Sequence, residues 1–326
     1  MALVAWTTIG LFVDAYYHST DPGLESFFTP WHALFYSGFV ATAVWIVRMV
    51  IGRIEPGTDV WTAAPRGYRA ALVGLVVFAA GGVGDGFWHT IFGVETSLDA
   101  LLSPTHLLLF VGLLLIASAP FRAAWSDPSD RSATSWRTFL APLFSLTWST
   151  AFVAFMLEYG YLLVKPDLVA IPYSPDSGNG EFAAAYGVFS AILTTVILMA
   201  PTLLLLRRWR RIPFGSITLM VAVVTTFIAI GFDADLIGLP AVILGGLVAD
   251  QLARSEWRRA VAGLTPVTIW SVYFLLVQIV GDGVRWPPEI WGGIIFFSAL
   301  TGLAIDGLLS AGASTVRLDL KERVDA

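Results

Sequence analysis

The sequence contains no cysteine and few charged residues. The absence of cysteine among its 326 residues excludes disulfides, thiolate metal sites and a cysteine nucleophile. Charged residues make up 13% of the chain, whereas soluble globular proteins carry about 25%. The net charge of −5 is spread between apolar segments and forms no basic patch, so no nucleic-acid partner is expected. The 5 methionines are scattered, which disfavours transport of Cu⁺ through thioether ligands.

What the chain has instead is apolar sequence. Hydrophobic residues make up 56% of it and the mean hydropathy is +0.75, which predicts an all-α, polytopic transmembrane helical bundle. A spanning helix needs about 20 mostly apolar residues, and by that criterion the chain holds about ten spans. They are predicted near 2–18, 30–51, 69–89, 104–121, 138–164, 182–206, 213–232, 237–253, 261–280 and 288–312.

The basic residues predict an orientation in the cell membrane. The alternate segments 48–69, 122–137, 207–211, 254–259 and 317–323 together hold 17 of the 19 lysines and arginines. Positively charged loops stay on the cytoplasmic side of a membrane. Both termini are therefore expected in the cytoplasm.

No long linker divides the chain, so we expect a single integral membrane domain over residues 1–326. Within it, the N-terminal third reads as a tandem two-helix repeat. The first copy covers about 1–53 and the second about 69–122, and a C-terminal helical scaffold covers about 138–312. Two copies of the same orientation imply a pseudo-two-fold axis along the membrane normal.

All 4 histidines of the chain lie in two stretches of matched pattern. In each stretch an Asp precedes a His by four residues at the end of a helix, so both side chains lie on one helix face. A second His follows in a Ser/Thr-Pro-x-His tetrad. The members are Asp14, His18 and His32 in the first stretch and Asp85, His89 and His106 in the second. The predicted orientation places both stretches on the extracytoplasmic side.

The Ser/Thr-Pro-x-His tetrads indicate helix starts. Thr29 and Ser103 are predicted N-caps, each followed by a proline at the first helical position. The second histidine then lies at the third helical position, where the positive end of the helix dipole favours a neutral imidazole, the form that binds metals. The alternative is that these residues only cap helices at the membrane interface.

Imidazole and carboxylate ligands suit Zn²⁺, Cu²⁺, Fe²⁺ or Mn²⁺. The two stretches supply enough ligands for one dinuclear site or two nearby mononuclear sites. Three further acidic residues near them, Glu25, Glu95 and Asp99, are predicted as candidate general bases. Whether Glu158, Asp233, Asp235 or Asp282 joins the site is left open by the sequence.

The pattern Asp14-x3-His18-x13-His32, at the end of one transmembrane helix and the start of the next, resembles a known metal site. It is similar to the Asp-x3-His-x12-His site in the C subunit of the copper membrane monooxygenases, the particulate methane and ammonia monooxygenases. The resemblance covers about twenty residues in each copy. It implies that Asp14, His18 and His32 are metal ligands, that Asp85, His89 and His106 form a second copy, and that the metal is copper.

Three functions follow as hypotheses. The first is a membrane metalloenzyme that acts on a small or lipophilic substrate, by oxidation as the resemblance implies or by hydrolysis through a metal-bound water. The second is a metal-ion transporter, sensor or delivery protein. The third is a structural subunit of a membrane complex, in which other membrane subunits would be partners.

Overall fold

The computed structural model describes residues 1–20, 28–93, 95, 98–127, 135–176 and 178–325, with side chains to residue 311. In these residues the chain is all-helical, with 81% helix and no strands. The α-helices are α1 (Ala2–Thr20), α2 (Pro30–Ile51), α3 (Val60–Ala63), α4 (Arg69–Phe92), α5 (Leu98–Leu102), α6 (Pro104–Ala117), α7 (Ala119–Ser126), α8 (Trp136–Met156), α9 (Pro166–Ala170), α10 (Gly178–Arg208), α11 (Ser216–Gly231), α12 (Leu239–Ala253), α13 (Val261–Ile279) and α14 (Pro288–Asp325).

Seven helical segments of the described chain are long and apolar enough to cross a membrane. They are Pro30–Ile51, Arg69–Phe92, Pro104–Ser126, Trp136–Met156, Gly178–Arg208, Arg258–Ile279 and Pro288–Ala311. Large apolar side chains on α2, such as Val40, Val44 and Trp45, are more than half exposed, as expected for a helix that faces lipid. These helices indicate a membrane protein.

The other three predicted spans coincide with shorter helices. The 16 residues of α11 and the 15 of α12 extend only about 22–24 Å at 1.5 Å per residue, whereas the hydrocarbon core is about 30 Å thick. Helix α1 has 19 residues and carries Asp14 within it. The count of ten spans therefore stays a prediction.

One predicted span is wrong at its end. The sequence indicated a span over 138–164, but α8 ends at Met156 and two short 3₁₀ turns follow, Glu158–Gly160 and Leu162–Val164. The first turn contains Glu158 and Gly160, whereas the residues of the second turn are buried and apolar. The apolar sequence therefore resumes after the break, which is why hydropathy extended the predicted span. The segment between the predicted spans 138–164 and 182–206 contains the short helix α9.

The chain divides into two compact units. The first comprises Met1–Tyr159 and Val223–Leu236, and the second comprises Gly160–Ala222 and Ile237–Ala326. All four histidines belong to the first unit. The organisation as a single domain stays a prediction.

In the first unit, α1 packs on α2 and α4 packs on α6 through glycines. A Cβ on Gly38 of α2 would lie 2.6 Å from the backbone nitrogen of Thr7 in α1. In the second pair, a Cβ on Gly112 of α6 would lie 2.7 Å from the backbone nitrogen of Phe78 in α4. Backbones this close leave no room for a side chain, so each glycine sets the separation of its helix pair.

In the second unit, a buried carboxylate anchors the start of α11. Asp250 is 1% exposed and accepts hydrogen bonds from the backbone N–H groups of Ile217 (3.1 Å) and Thr218 (3.0 Å) and from the Thr218 hydroxyl (2.7 Å). These are N–H groups of the first helical turn, which have no partner within the helix. Asp250 therefore caps α11 from a neighbouring helix.

Candidate metal centre

The starts of α2 and α6 place two of the histidines. Both helices begin with proline at the first helical position, so His32 and His106 lie at the third, as predicted. The Thr29 hydroxyl accepts a hydrogen bond from the backbone N–H of His32 at 3.1 Å. Ser103 occupies the corresponding position, but its side chain makes no capping hydrogen bond and lies 3.4 Å from the Thr105 hydroxyl. Ser103 is therefore the N-cap residue of α6, as predicted, but it fills that position without a side-chain capping hydrogen bond.

The first group, which we call the Asp14 triad, consists of Asp14, His18 and His32. Asp14 and His18 come from the end of α1, one helical turn apart, and His32 comes from the start of α2. The Nε2 atom of His32 lies 3.3 Å from Asp14 Oδ1, and that of His18 lies 3.8 Å from Asp14 Oδ2. All three side chains are largely buried.

The second group, the Asp85 triad, consists of Asp85, His89 and His106. Asp85 and His89 come from the end of α4 and His106 from the start of α6. The Nε2 atoms of His89 and His106 lie 3.4 and 3.0 Å from Asp85 Oδ1. The side chain of Asp85 is only 2% exposed and that of His89 only 1%.

Each triad offers one ligand atom per residue, and within each triad these atoms lie within 4.8 Å of one another, so each triad could hold a metal ion. Two nitrogen or oxygen ligands at about 2.1 Å from one ion are separated by up to about 4.2 Å. Asp14 Oδ1 is buried and has no hydrogen-bond partner among the described residues, as expected of an atom that bonds to a cation. Buried carboxylates also need a counter-charge.

The two triads are neighbours. The rings of His32 and His89, one from each triad, have centroids 6.4 Å apart. Within the triads, the ring centroids of His18 and His32 are 5.5 Å apart and those of His89 and His106 are 5.6 Å apart. The four imidazoles thus form a continuous row across both helix pairs.

Hydroxyl groups hold the Asp85 carboxylate on both oxygens. Thr105 donates to Oδ1 and Tyr36 donates to Oδ2, each at 3.1 Å. Tyr36 belongs to α2, the helix that supplies His32 to the other triad. The outer ring nitrogens are also held, since Nδ1 of His89 contacts the Gly93 carbonyl at 3.1 Å and Nδ1 of His106 contacts the Ala100 carbonyl. Hydrogen bonds of this kind orient metal ligands.

Sequence reasoning missed these hydroxyl contacts. Thr105 occupies the unspecified position x of the Ser-Pro-x-His tetrad. Its hydroxyl at that position was the only feature of the sequence that could have indicated the contact with Asp85. Tyr36 could be placed one helical turn after His32, but its partner lies 49 positions further along the chain.

A cavity of about 450 Å³ adjoins both triads. Its volume lies in the range of about 300–1,000 Å³ that is typical of small-molecule sites. All three members of the Asp14 triad line it, together with Asp85 and His106. Its apolar wall includes Leu11, Phe35, Phe110, Phe152, Phe155 and Phe232. No lysine or arginine is found among the described residues that line it.

The predicted general bases lie outside this cavity or outside the described residues. Glu25 lies outside the described residues. Glu95 accepts a hydrogen bond from the Trp88 indole at 2.7 Å, and its Oε2 lies 4.0 Å from His106 Nδ1, but it does not line the cavity. Asp99 is exposed and accepts from the backbone N–H of Ala100 at 3.1 Å.

Of the acidic residues that the sequence left open, one reaches the cavity. Glu158, in the 3₁₀ turn after α8, lines it, whereas Asp233 and Asp235 do not. Asp282 belongs to the second unit.

Comparison with protein-family models, with curated proteins and with solved structures finds no match for this chain.

Proposed function

We propose that the chain is an integral membrane metalloenzyme that binds a transition metal ion at each triad and acts on a small apolar molecule in the adjoining cavity. The observation that carries this proposal is the cavity itself. It joins ligand residues of both triads to a wall of leucine and phenylalanine side chains. Such a wall favours an apolar substrate that arrives from the bilayer.

The reaction we propose is oxidation by O₂, in which one oxygen atom enters the substrate. The other leaves as water, formed with two electrons and two protons from an external donor. Copper is the metal that the resemblance implies, and two imidazoles with one carboxylate also suit iron. Hydrolysis is the alternative reaction, and Glu158 is the carboxylate on the cavity wall that could then act as base.

The tandem repeat is part of the proposal. The Asp and first His of the two triads are 71 positions apart, and the second His is 74 positions apart. The same two offsets relate the helix contacts, because Thr7 and Gly38 in the first pair become Phe78 and Gly112 in the second. Likewise Gly10 packs on the backbone of Phe35, and the equivalent Gly81 packs on that of Leu109. This agreement supports two copies of one helix pair.

We also propose the membrane orientation that the sequence predicts, with ten spans and both termini in the cytoplasm. The distribution of lysine and arginine supports it. In this orientation the triads lie near the extracytoplasmic surface, and a partner subunit or other donor would deliver electrons there.

Metal analysis of the purified full chain tests the proposal. We expect about two transition metal ions per chain in the wild type, because each triad supplies a complete ligand set. The double variant His18→Ala/His89→Ala should lose both. Asp233→Asn removes a carboxylate that does not line the cavity and should leave the metal content unchanged. Absence of metal from the wild type, or equal metal in the double variant, would overturn the site.

Two assays then separate the functions. With a reductant and apolar substrates, O₂ consumption that Asp14→Asn abolishes supports oxidation. In proteoliposomes, metal uptake that depends on Asp14 and Asp85 would instead assign the chain as a transporter.

A further inference from the structure

We propose that the two triads are not equivalent: the Asp85 triad binds its ion tightly and supports the site, whereas the Asp14 triad binds an exchangeable ion that faces the cavity. Tyr36 is the residue that positions the tight site. This inference rests on the proposed metal binding and assigns a separate role to each triad.

The first reason is the difference in hydrogen bonding to the two carboxylates. Asp85 accepts from Thr105 and Tyr36, one on each oxygen. An ionised carboxylate has about four lone-pair positions, so a position for the ion remains on each oxygen. Asp14 Oδ1 has no hydrogen-bond partner among the described residues. Outer hydrogen bonds of this type are worth about 10–100-fold in metal affinity.

The second reason is access. Every residue of the Asp14 triad lines the cavity, and the side chains of Asp14 and His18 are 13% and 17% exposed. In the Asp85 triad, His106 lines the cavity and its side chain is 23% exposed, but His89 does not line it and the side chains of Asp85 and His89 are only 2% and 1% exposed. A substrate in the cavity therefore meets the Asp14 triad with its full ligand set.

The third reason is the rigid placement of Tyr36. A Cβ on Gly82 of α4 would lie 2.9 Å from Cε1 of Tyr36, so the ring packs directly on the α4 backbone. The ring also packs near Phe78, with centroids 6.0 Å apart. Because neighbouring atoms fix the ring, its hydroxyl is held at Asp85 before any metal binds.

The repeat offset explains why the two equivalent positions supply no hydroxyl donor to the first triad. At 74 positions from Tyr36 the second copy has Phe110, and at 74 positions before Thr105 the first copy has Trp31. Neither side chain carries a hydroxyl. Trp31 instead stacks on Tyr17, with ring centroids 3.8 Å apart.

Titration of the metal-free full chain with Co²⁺ in detergent micelles tests the proposal, since the absorption of bound Co²⁺ reports its ligands. We expect two phases whose dissociation constants differ by at least about tenfold. Asp85→Asn should remove the tight phase and Asp14→Asn the weak phase. Tyr36→Phe and Thr105→Val should each weaken only the tight phase, by about 10–100-fold, and shift its absorption bands.

Tyr17→Phe provides the matched control. Tyr17 directly precedes His18 in α1, and no hydrogen bond from its hydroxyl to a ligand residue is found among the described contacts, so both phases should stay unchanged. A single phase that binds two ions with equal affinity would overturn the assignment while leaving metal binding intact. A tight phase that disappears with Asp14→Asn would do the same. Absence of any Co²⁺ binding would instead overturn the proposed function.

Discussion

Replacing Gly112 by alanine tests how the helix packing sets the geometry of the Asp85 triad. The added Cβ would lie 2.6 Å from Cβ of Phe78 and 2.8 Å from its Cα. Two of the three nearest atoms belong to the α4 backbone, which no change of rotamer can move. Helices α4 and α6 must therefore separate.

The size of the effect follows from these distances. Ordinary van der Waals contact begins at 3.4 Å, so the helices must part by about 0.8 Å. Overpacking of this kind costs about 1–3 kcal/mol of unfolding free energy, and alanine regains about 1 kcal/mol by its higher helix propensity. His106 on α6 would move away from Asp85 on α4. Metal sites tolerate about 0.2 Å in ligand distance, so the tight Co²⁺ phase should weaken at least tenfold.

The assay combines Co²⁺ titration with thermal unfolding in detergent. Gly38→Ala is the reciprocal variant, because its Cβ meets the Thr7 backbone, and it should weaken the other phase. Gly292→Ala is the control, since a Cβ there meets nothing within 4 Å; it should leave both Co²⁺ phases unchanged and raise the unfolding free energy by at most about 1 kcal/mol. If Gly112→Ala keeps both wild-type stability and wild-type affinity, the helix pair is not held at the described separation and the reasoning fails.

Three further predictions concern stability. Thr29→Ala should lower the unfolding free energy by about 1 kcal/mol because it removes an N-cap, whereas Ser103→Ala should change it by less than about 0.5 kcal/mol; equal losses in thermal unfolding would contradict this. Asp250→Ala should cost about 2 kcal/mol because it leaves buried N–H groups of α11 unpaired, and Asp250→Asn should recover part of the loss. Chelation should lower the melting temperature, since an ion at 100 times its dissociation constant contributes about 2.7 kcal/mol; an unchanged melting temperature would argue against bound metal.

The sequence predicts those features of the site that depend on local spacing. The helical positions of His32 and His106 follow from a proline two residues before each histidine, and the approach of Asp85 to His89 follows from their spacing of one helical turn. Such relations are fixed within a single helix or at its start.

Features that depend on packing between distant segments could not be predicted. The contact of Tyr36 with Asp85 requires α2 to pack beside α4 with these two residues at the same height along the helices. The apolar wall of the cavity draws Phe152 from α8 and Phe232 from the region after α11. Nothing in their local sequence distinguishes these phenylalanines from residues that face lipid. The end of α8 at Met156 was missed because apolar sequence resumes in the buried turn Leu162–Val164, beyond the Glu158–Gly160 turn at which the helix has ended.

The hydroxyl that α2 contributes to the Asp85 triad limits how the centre can be divided. A fragment of residues 69–126, transplanted into a designed bundle, would carry Asp85, His89, His106 and Thr105 as one continuous piece. It would leave Asp85 Oδ2 without the donor that Tyr36 supplies. Each helix pair thus carries its own three ligand residues, but the Asp85 triad also needs a hydroxyl from the other pair. On the proposed duplication, loss of the first helix pair would also weaken the Asp85 triad, because it would remove the Tyr36 hydroxyl.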